Sequence, residues 1–168
     1  MKNRPASTVH RVGLISDTHG LLRPEAVTYL EGCDFIVHAG DIGGPEIIRQ
    51  LERIAPVTAV RGNNDRDAWE ARIPDDTLLD VGGTLLYVLH DLASIAIDPA
   101  AAGFHIVVAG HSHRPSQEVR NGVLYVNPGS AGPRRFRLPI SVGSVHITPE
   151  GITPELLEIA GGEIRSVR

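Results

Sequence analysis

Lysine is almost missing from this 168-residue chain: Lys2 is the only one among 16 basic residues, and the rest are arginines. That excludes a G-x-x-x-x-G-K-[ST] phosphate loop and a Schiff-base lysine in a folded core. No G-x-G-x-x-G occurs either, so the dinucleotide fingerprint is absent. Cysteine appears once, as Cys33, which rules out an internal disulfide framework. Aromatic residues make up only 4%, so the core must be built from Val, Ile, Leu and Ala. No apolar run approaches the ~20 residues that a membrane span needs. Residues 1–8 lack the apolar stretch of a signal peptide and read as a loose tail before a single domain over 9–168, with the cytoplasm as the expected location. Positive charge is not in excess: 16 basic residues against 20 acidic ones give a net charge of -4, which argues against a broad nucleic-acid-binding surface.

What is present reads first as alternation and then as hairpins. Residues 9–16, 34–40 and 56–62 are apolar, β-branched strand candidates. Between them, 24–30 and 45–54 read as helices, each opening near a proline, and Ile47, Ile48, Leu51 and Ile54 share one face of the second. Two short βαβ crossovers follow from this order. Beyond residue 76, 77–81 and 84–90 flank Gly82-Gly83 as a hairpin, and 95–102 reads as a short helix. Residues 104–110, 118–127 (turning at Asn121-Gly122), 138–148 and 152–159 add further strands. The pattern predicts two packed sheets covered by helices.

Chemistry gathers at the strand ends. The first strand ends in Ser16-Asp17-Thr18-His19-Gly20, the second in Gly40-Asp41 and the third in Gly62-Asn63-Asn64-Asp65. The strand over 84–90 ends in His90-Asp91, and that over 104–110 in Gly110-His111-Ser112-His113. A single Asp after a strand is ordinarily a cap or turn former. Five strands ending on carboxylates, carboxamides and imidazoles point instead to one crevice at the carboxyl ends, where open α/β sheets bind ligands. In an extended backbone, residues i and i+2 share a direction, so Asp17 with His19, and His111 with His113, would each form a two-toothed clamp. Asp17, His19, Asp41, Asn63, His90, His111 and His113 are seven candidate metal ligands, enough for two ions, since one zinc takes three or four. Mixed His and Asp donors suit manganese, iron, nickel or zinc.

D-x-H, G-D, G-N-x-D, an isolated His and G-H-x-H, in this order, resemble the calcineurin-like metallophosphoesterase superfamily. The short chain, the opening SDTHG and the closing NPGS (127–130) are similar to its small YfcE-like phosphodiesterase branch, over about residues 11–159. The resemblance implies an α/β fold, a four-layer α/β/β/α sandwich with two mixed sheets. It implies two divalent ions, manganese first, with iron, nickel or zinc as alternatives. Asp17, His19 and His113 would hold one ion and Asn63, His90 and His111 the other, with Asp41 between them. The implied reaction is in-line attack on phosphorus by a hydroxide activated at the dinuclear centre. The implied substrate is a small phosphodiester.

Two positions depart from the family pattern. Much of the superfamily carries His at the third position of G-N-x-D, where it serves the leaving group; here it is Asn64, as YfcE-like members also often lack that His. A carboxamide is no general acid near neutral pH, although it can donate a hydrogen bond to a phosphate oxygen. Asp91 stands where the family usually has Gly, and is expected at the rim beside a His. Asn64, Asp65 and Asp41 are the candidate catalytic residues, with Asp65 bracing its turn. His38 is expected to support the site, Asn127 and Ser130 to shape the loop beneath it, and Arg134, Arg135 and Arg137 to draw in an anion or to lie in solvent or at a subunit contact. The alternative readings are a phosphomonoesterase or nucleotide pyrophosphatase, and a metal-bound protein-interaction scaffold like the small subunit of retromer. Relatives of this kind form homodimers and homotetramers.

Overall fold

The computed structural model describes residues 8–159 and 164–167. The expected tail therefore lies, apart from Thr8, outside the described residues. β1 (His10–Ile15), α1 (Pro24–Leu30), β2 (Phe35–His38), α2 (Pro45–Glu52) and β3 (Val57–Ala59) follow the expected alternation. Parallel pairing joins β1 to β2 and β2 to β3. β4 (Asp76–Val81) and β5 (Thr84–Leu89) form the expected hairpin. β6 (Ile106–Val108), β7 (Ser116–Arg120), β8 (Val123–Asn127), β9 (Ser141–Thr148), β10 (Gly151–Glu158) and the two-residue β11 (Arg165–Ser166) complete the strands.

These strands make two mixed sheets, ordered β11-β10-β9-β1-β2-β3 and β4-β5-β6-β8-β7. Strand alternation explains how they stack. Val12 and Leu14 of β1 face the second sheet and meet Val88, Ile106, Val108 and Val126 in the central core. Ile15 of β1 and Ile36 of β2 face the other way, onto Ala26, Tyr29 and Leu30 of α1 and Ile47 and Leu51 of α2. Ile48 and Ile54 are only partly buried, at the flank of that cluster. Gly13 lets α1 settle onto β1: a Cβ there would overlap Leu30.

The layer outside the second sheet is thinner than the helical cover of the first. No helix forms over 95–102. Asp91 instead accepts the Ala93 amide and caps a 3-10 turn at Leu92–Ser94, and Asp98 closes a second turn by accepting the Ala100 and Ala101 amides. Both carboxylates bond nearby backbone in non-helical form, which competes with a helix. Leu92, Ile95 and Phe104 from this segment pack on Tyr87, Leu89 and Val107. A 3-10 turn at Ala68–Arg72, boxed by Asp67 and Glu70, was not expected from the sequence. Among the described residues no helix is long and apolar enough to cross a membrane.

Candidate metal centre

The parallel strands β1, β2, β3, β5 and β6 lead into loops at one edge of the sandwich, and all seven candidate ligands meet there. The backbone reaches this arrangement differently from the extended geometry that the spacing suggested. Asp17, His19, Asp41, His111 and His113 have φ of 54°, 46°, 53°, 68° and 59°. The chain must turn sharply where each strand stops, and Asp and His enter the left-handed region more readily than most residues. Such strained positions persist where the surroundings over-determine them. The surroundings here are close: a Cβ on Gly110 would overlap Ser16, and one on Gly62 would overlap Asp41.

Asp17 is fully buried, and its two oxygens are used differently. Oδ2 accepts from Ser16 Oγ (2.7 Å) and from the His111 amide (3.1 Å). Oδ1 has no hydrogen-bond partner and faces His113 Nε2 at 3.3 Å and His19 Nε2 at 4.0 Å. His19 Nε2 and His113 Nδ1 are also buried without a partner. Burial pushes the Asp17 pKa up, but His113, Ser16 and His90 outweigh it and hold the carboxyl below its ordinary range. Burial also lowers the His19 pKa, the Asp41 and Asp17 carboxylates oppose that, and His113 and Arg135 add to it.

The second cluster centres on His90 and Asn63. His90 Nδ1 donates to the Ala39 carbonyl (2.7 Å), because a carbonyl can only accept. Its Nε2 therefore points into the site, 3.0 Å from Asn63 Oδ1 and 3.4 Å from Asp41 Oδ2. His111 Nδ1 lies 3.1 Å from the same Asn63 oxygen. Burial works against a charge on His90, yet its bonds to Asp41 and Ala39 and the nearby carboxylates raise its pKa. Asp41 Oδ2 is 3.8 Å from His19 Nε2 and 3.4 Å from His90 Nε2, so it stands between the two clusters. Burial likewise pushes the Asp41 pKa up, but His90 and Asn64 overcome this and hold it far below the usual carboxylate range.

The donors fit divalent cations. Asp17, His19 and His113, and likewise Asp17, Asp41 and His90, each bring one ligand atom per residue within 4.8 Å of the others. Oxygen and imidazole nitrogen together match first-row transition ions. Unpartnered polar atoms buried at Asp17 and His113 would be costly unless something coordinates them.

The remaining candidates take supporting positions. Asn64 is turned onto Asp41, donating from its amide N–H to Oδ1 and from Nδ2 to Oδ2, both at 2.9 Å. Asp65 accepts the Ile42, Gly43 and Gly62 amides and so pins the Asp41 loop to the Asn63 loop. His38 accepts the Gly40 amide at Nδ1 and lies 2.9 Å from Thr18 Oγ1, which donates to the Ile42 carbonyl. This relay joins the β1 and β2 loops. Asn127 donates to the Gly110 carbonyl and Ser112 Oγ beneath the His111–His113 loop, and Ser130 donates to the Asp17 carbonyl. Asp91 Oδ2 sits 3.8 Å from His111 Nε2 at the rim. Arg134, Arg135 and Arg137 are exposed. Ser16 and the Ala39 carbonyl were not singled out from the sequence. Ser16 lay inside the quoted SDTHG motif, but nothing local reveals the Ala39 contact.

Comparison with known proteins bears on the family and the fold. The calcineurin-like phosphoesterase superfamily domain matches residues 11–150. A protein of Methanothermobacter thermautotrophicus named "Probable metallophosphoesterase" is 30% identical over 93% of this chain and 96% of its own. A phosphodiesterase of Methanocaldococcus jannaschii is 26% identical over 71% of this chain and 82% of its own. Among solved structures, Vacuolar Protein Sorting 29 from Cryptosporidium parvum superposes with a TM-score of 0.80 at 19% identity, over 95% of this chain and 96% of its own. The YfcE phosphoesterase of E. coli does so with 0.69 at 21%, over 94% and 98%. Both structures share the fold.

Proposed function

The chain belongs to the calcineurin-like phosphoesterase superfamily, a family of metal-dependent hydrolases, and from that premise we propose that it is a phosphodiesterase acting on a small diester with two divalent cations. Asp17, His19 and His113 would hold one cation and Asn63, His90 and His111 the other, with Asp41 shared. Manganese is the first choice, and iron, nickel or zinc also suit the donors. The observation that carries this reading is the set of buried, unpartnered atoms Asp17 Oδ1, His19 Nε2 and His113 Nδ1 beside the Asn63–His90–His111 cluster. When bound, such cations supply Lewis acidity that lowers the pKa of water and offsets charge on phosphoryl oxygens.

The protein's own part is positioning. Ser16 and the His111 amide hold one Asp17 oxygen and leave the other free to coordinate. The Ala39 carbonyl fixes the His90 ring so that Nε2 faces inward, the carbonyl–imidazole support common to metal-binding histidines. Asn64 grips both oxygens of Asp41 and provides no acidic proton for a departing alkoxide. A diester with a good leaving group therefore suits the site better than an unactivated monoester.

The test is manganese-dependent hydrolysis of an aryl phosphodiester beside the matching monoester, with His90→Ala as control. Diester preference that is lost in His90→Ala is the expected result. Monoester preference would mean that a group other than Asn64 supplies the proton. No turnover of either ester, with two ions bound, would favour the protein-interaction scaffold.

A further inference from the structure

The segment after the NPGS turn is anchored in the metal centre at one end and leaves it bare at the other. Ser130 Oγ donates to the Asp17 carbonyl, and the Ala131 amide donates to the Ser16 carbonyl at 3.1 Å. Gly132 lies so close to the Asp17–Thr18 backbone that a Cβ would overlap both carbonyl oxygens. Residues 133–137 then run exposed. Arg135 is near enough to His19 to disfavour its positive charge. Arg114, next to His113, lines one cavity with Phe136, Arg137 and Leu138. The loop thus forms a rim beside Asp17, His19 and His113.

At its tip Phe136 is 92% exposed and has a φ of 52°. A bulky residue at positive φ is a true outlier, of the kind that clusters at ligand clamps and active sites. Arg134 Nη1 donates to the Leu138 carbonyl and closes the loop on itself. Among the described residues, no carboxylate pairs with Arg114, Arg134, Arg135 or Arg137. The result is a bare aromatic face on a loop whose guanidinium groups have no carboxylate partner among the described residues, on a chain whose net charge is -4.

We propose that Phe136 and the arginines around it are a recognition rim for a nucleotide, with the base stacked on the ring and a phosphate facing the guanidinium groups. This rests on the diesterase reading and names its substrate class, a nucleotidyl diester. Aromatic faces stack on any nucleobase, and arginine suits phosphate by charge and by its planar fork. The patch is local and the chain is acidic, so the ligand is a mononucleotide unit and not a polymer.

Two p-nitrophenyl diesters with the same scissile bond test the proposal: thymidine 5′-monophosphate p-nitrophenyl ester and methyl p-nitrophenyl phosphate. The ratio of their kcat/KM values reads the nucleoside contribution. It should fall about tenfold in Phe136→Ala and recover in Phe136→Trp, in line with the loss of one stacked base. An unchanged ratio overturns the proposal, and more so if Phe136→Ala also dissociates an oligomer in sedimentation, which would make the loop a contact between copies. If neither ester turns over, the diesterase reading fails on its own. Calorimetric binding of adenosine 5′-monophosphate and of ribose 5-phosphate to the manganese-loaded chain then decides. A base-dependent gain in affinity that Phe136→Ala removes sustains the rim, and equal affinities sink it.

Discussion

The two halves of the candidate metal centre differ in enclosure. On the β1 side, Asp17 and His113 are buried, and Ser16, Ser130 and the His111 amide fix the Asp17 loop. On the β6 side, the His111 side chain is 45% exposed and Asn63 is exposed, with only the distant Asp91 carboxylate beyond. His90 and Asp41 are the buried hinge between them. A buried half with its donors already aimed loses little freedom when a cation binds. An exposed half must first order its side chains. The expectation is stepwise loading, with the Asp17–His19–His113 half filling first and more tightly.

The largest break in this comparison comes from the shared carboxylate. Asp41→Asn should lower diesterase activity more than a hundredfold and reduce the number of bound ions, read by kcat and by metal content after dialysis. A smaller loss would mean that the two halves act independently. Next in size is the pH dependence of the enclosed half. His38 is fully buried, and burial pushes its pKa down to about 4 from 6.5, against the pull of Asp17, Asp65 and Asp41. The unfolded chain takes up this proton below pH 6.5, whereas the folded chain does so only near 4. Stability is therefore complete above that window and falls as the pH drops through it, by on the order of 3 kcal/mol for this ring. Urea titrations at pH 7 and pH 4.5 should show a smaller difference in His38→Gln than in the parent. Equal differences would mean that the ring is not held neutral.

Smaller effects sharpen the contrast. His113→Ala should remove the tighter step of a calorimetric manganese titration, whereas His111→Ala should leave it and weaken only the second step. Equal damage to both steps by either variant would erase the distinction. Ser16→Ala removes one of the two donors to Asp17 Oδ2, leaving only the His111 amide, and should weaken the tighter step by roughly tenfold, the lower end for supports of this kind. The second step should stay where it was.

The same contrast explains what the sequence reveals. The candidate ligands are legible as a group because each stands within a few residues of a strand end, and strand ends follow from apolar runs such as 34–40. Their directions are not. The i, i+2 rule assumes extended backbone, and Asp17, His19, His111 and His113 all sit at positive φ. Their convergence comes from chain segments packed against one another, seen in the closeness of Gly110 to Ser16 and of Gly62 to Asp41. Asn64 is expected to donate to a phosphate oxygen; one hydrogen of its Nδ2 goes to Asp41, a partner 23 positions away that no local pattern reveals, which leaves the other for that role. The Ala39–His90 bond spans 51 positions and leaves no local trace. The missing helix over 95–102 is a local failure: Asp91 and Asp98 hold the backbone in turns that propensity alone does not foresee.

Anomalous scattering from a manganese-loaded crystal tests the central claim most directly. The account predicts two peaks about 3.5–4 Å apart, one among Asp17, His19 and His113 and one among Asn63, His90 and His111, with Asp41 touching both. A single peak, or peaks away from these side chains, would contradict it.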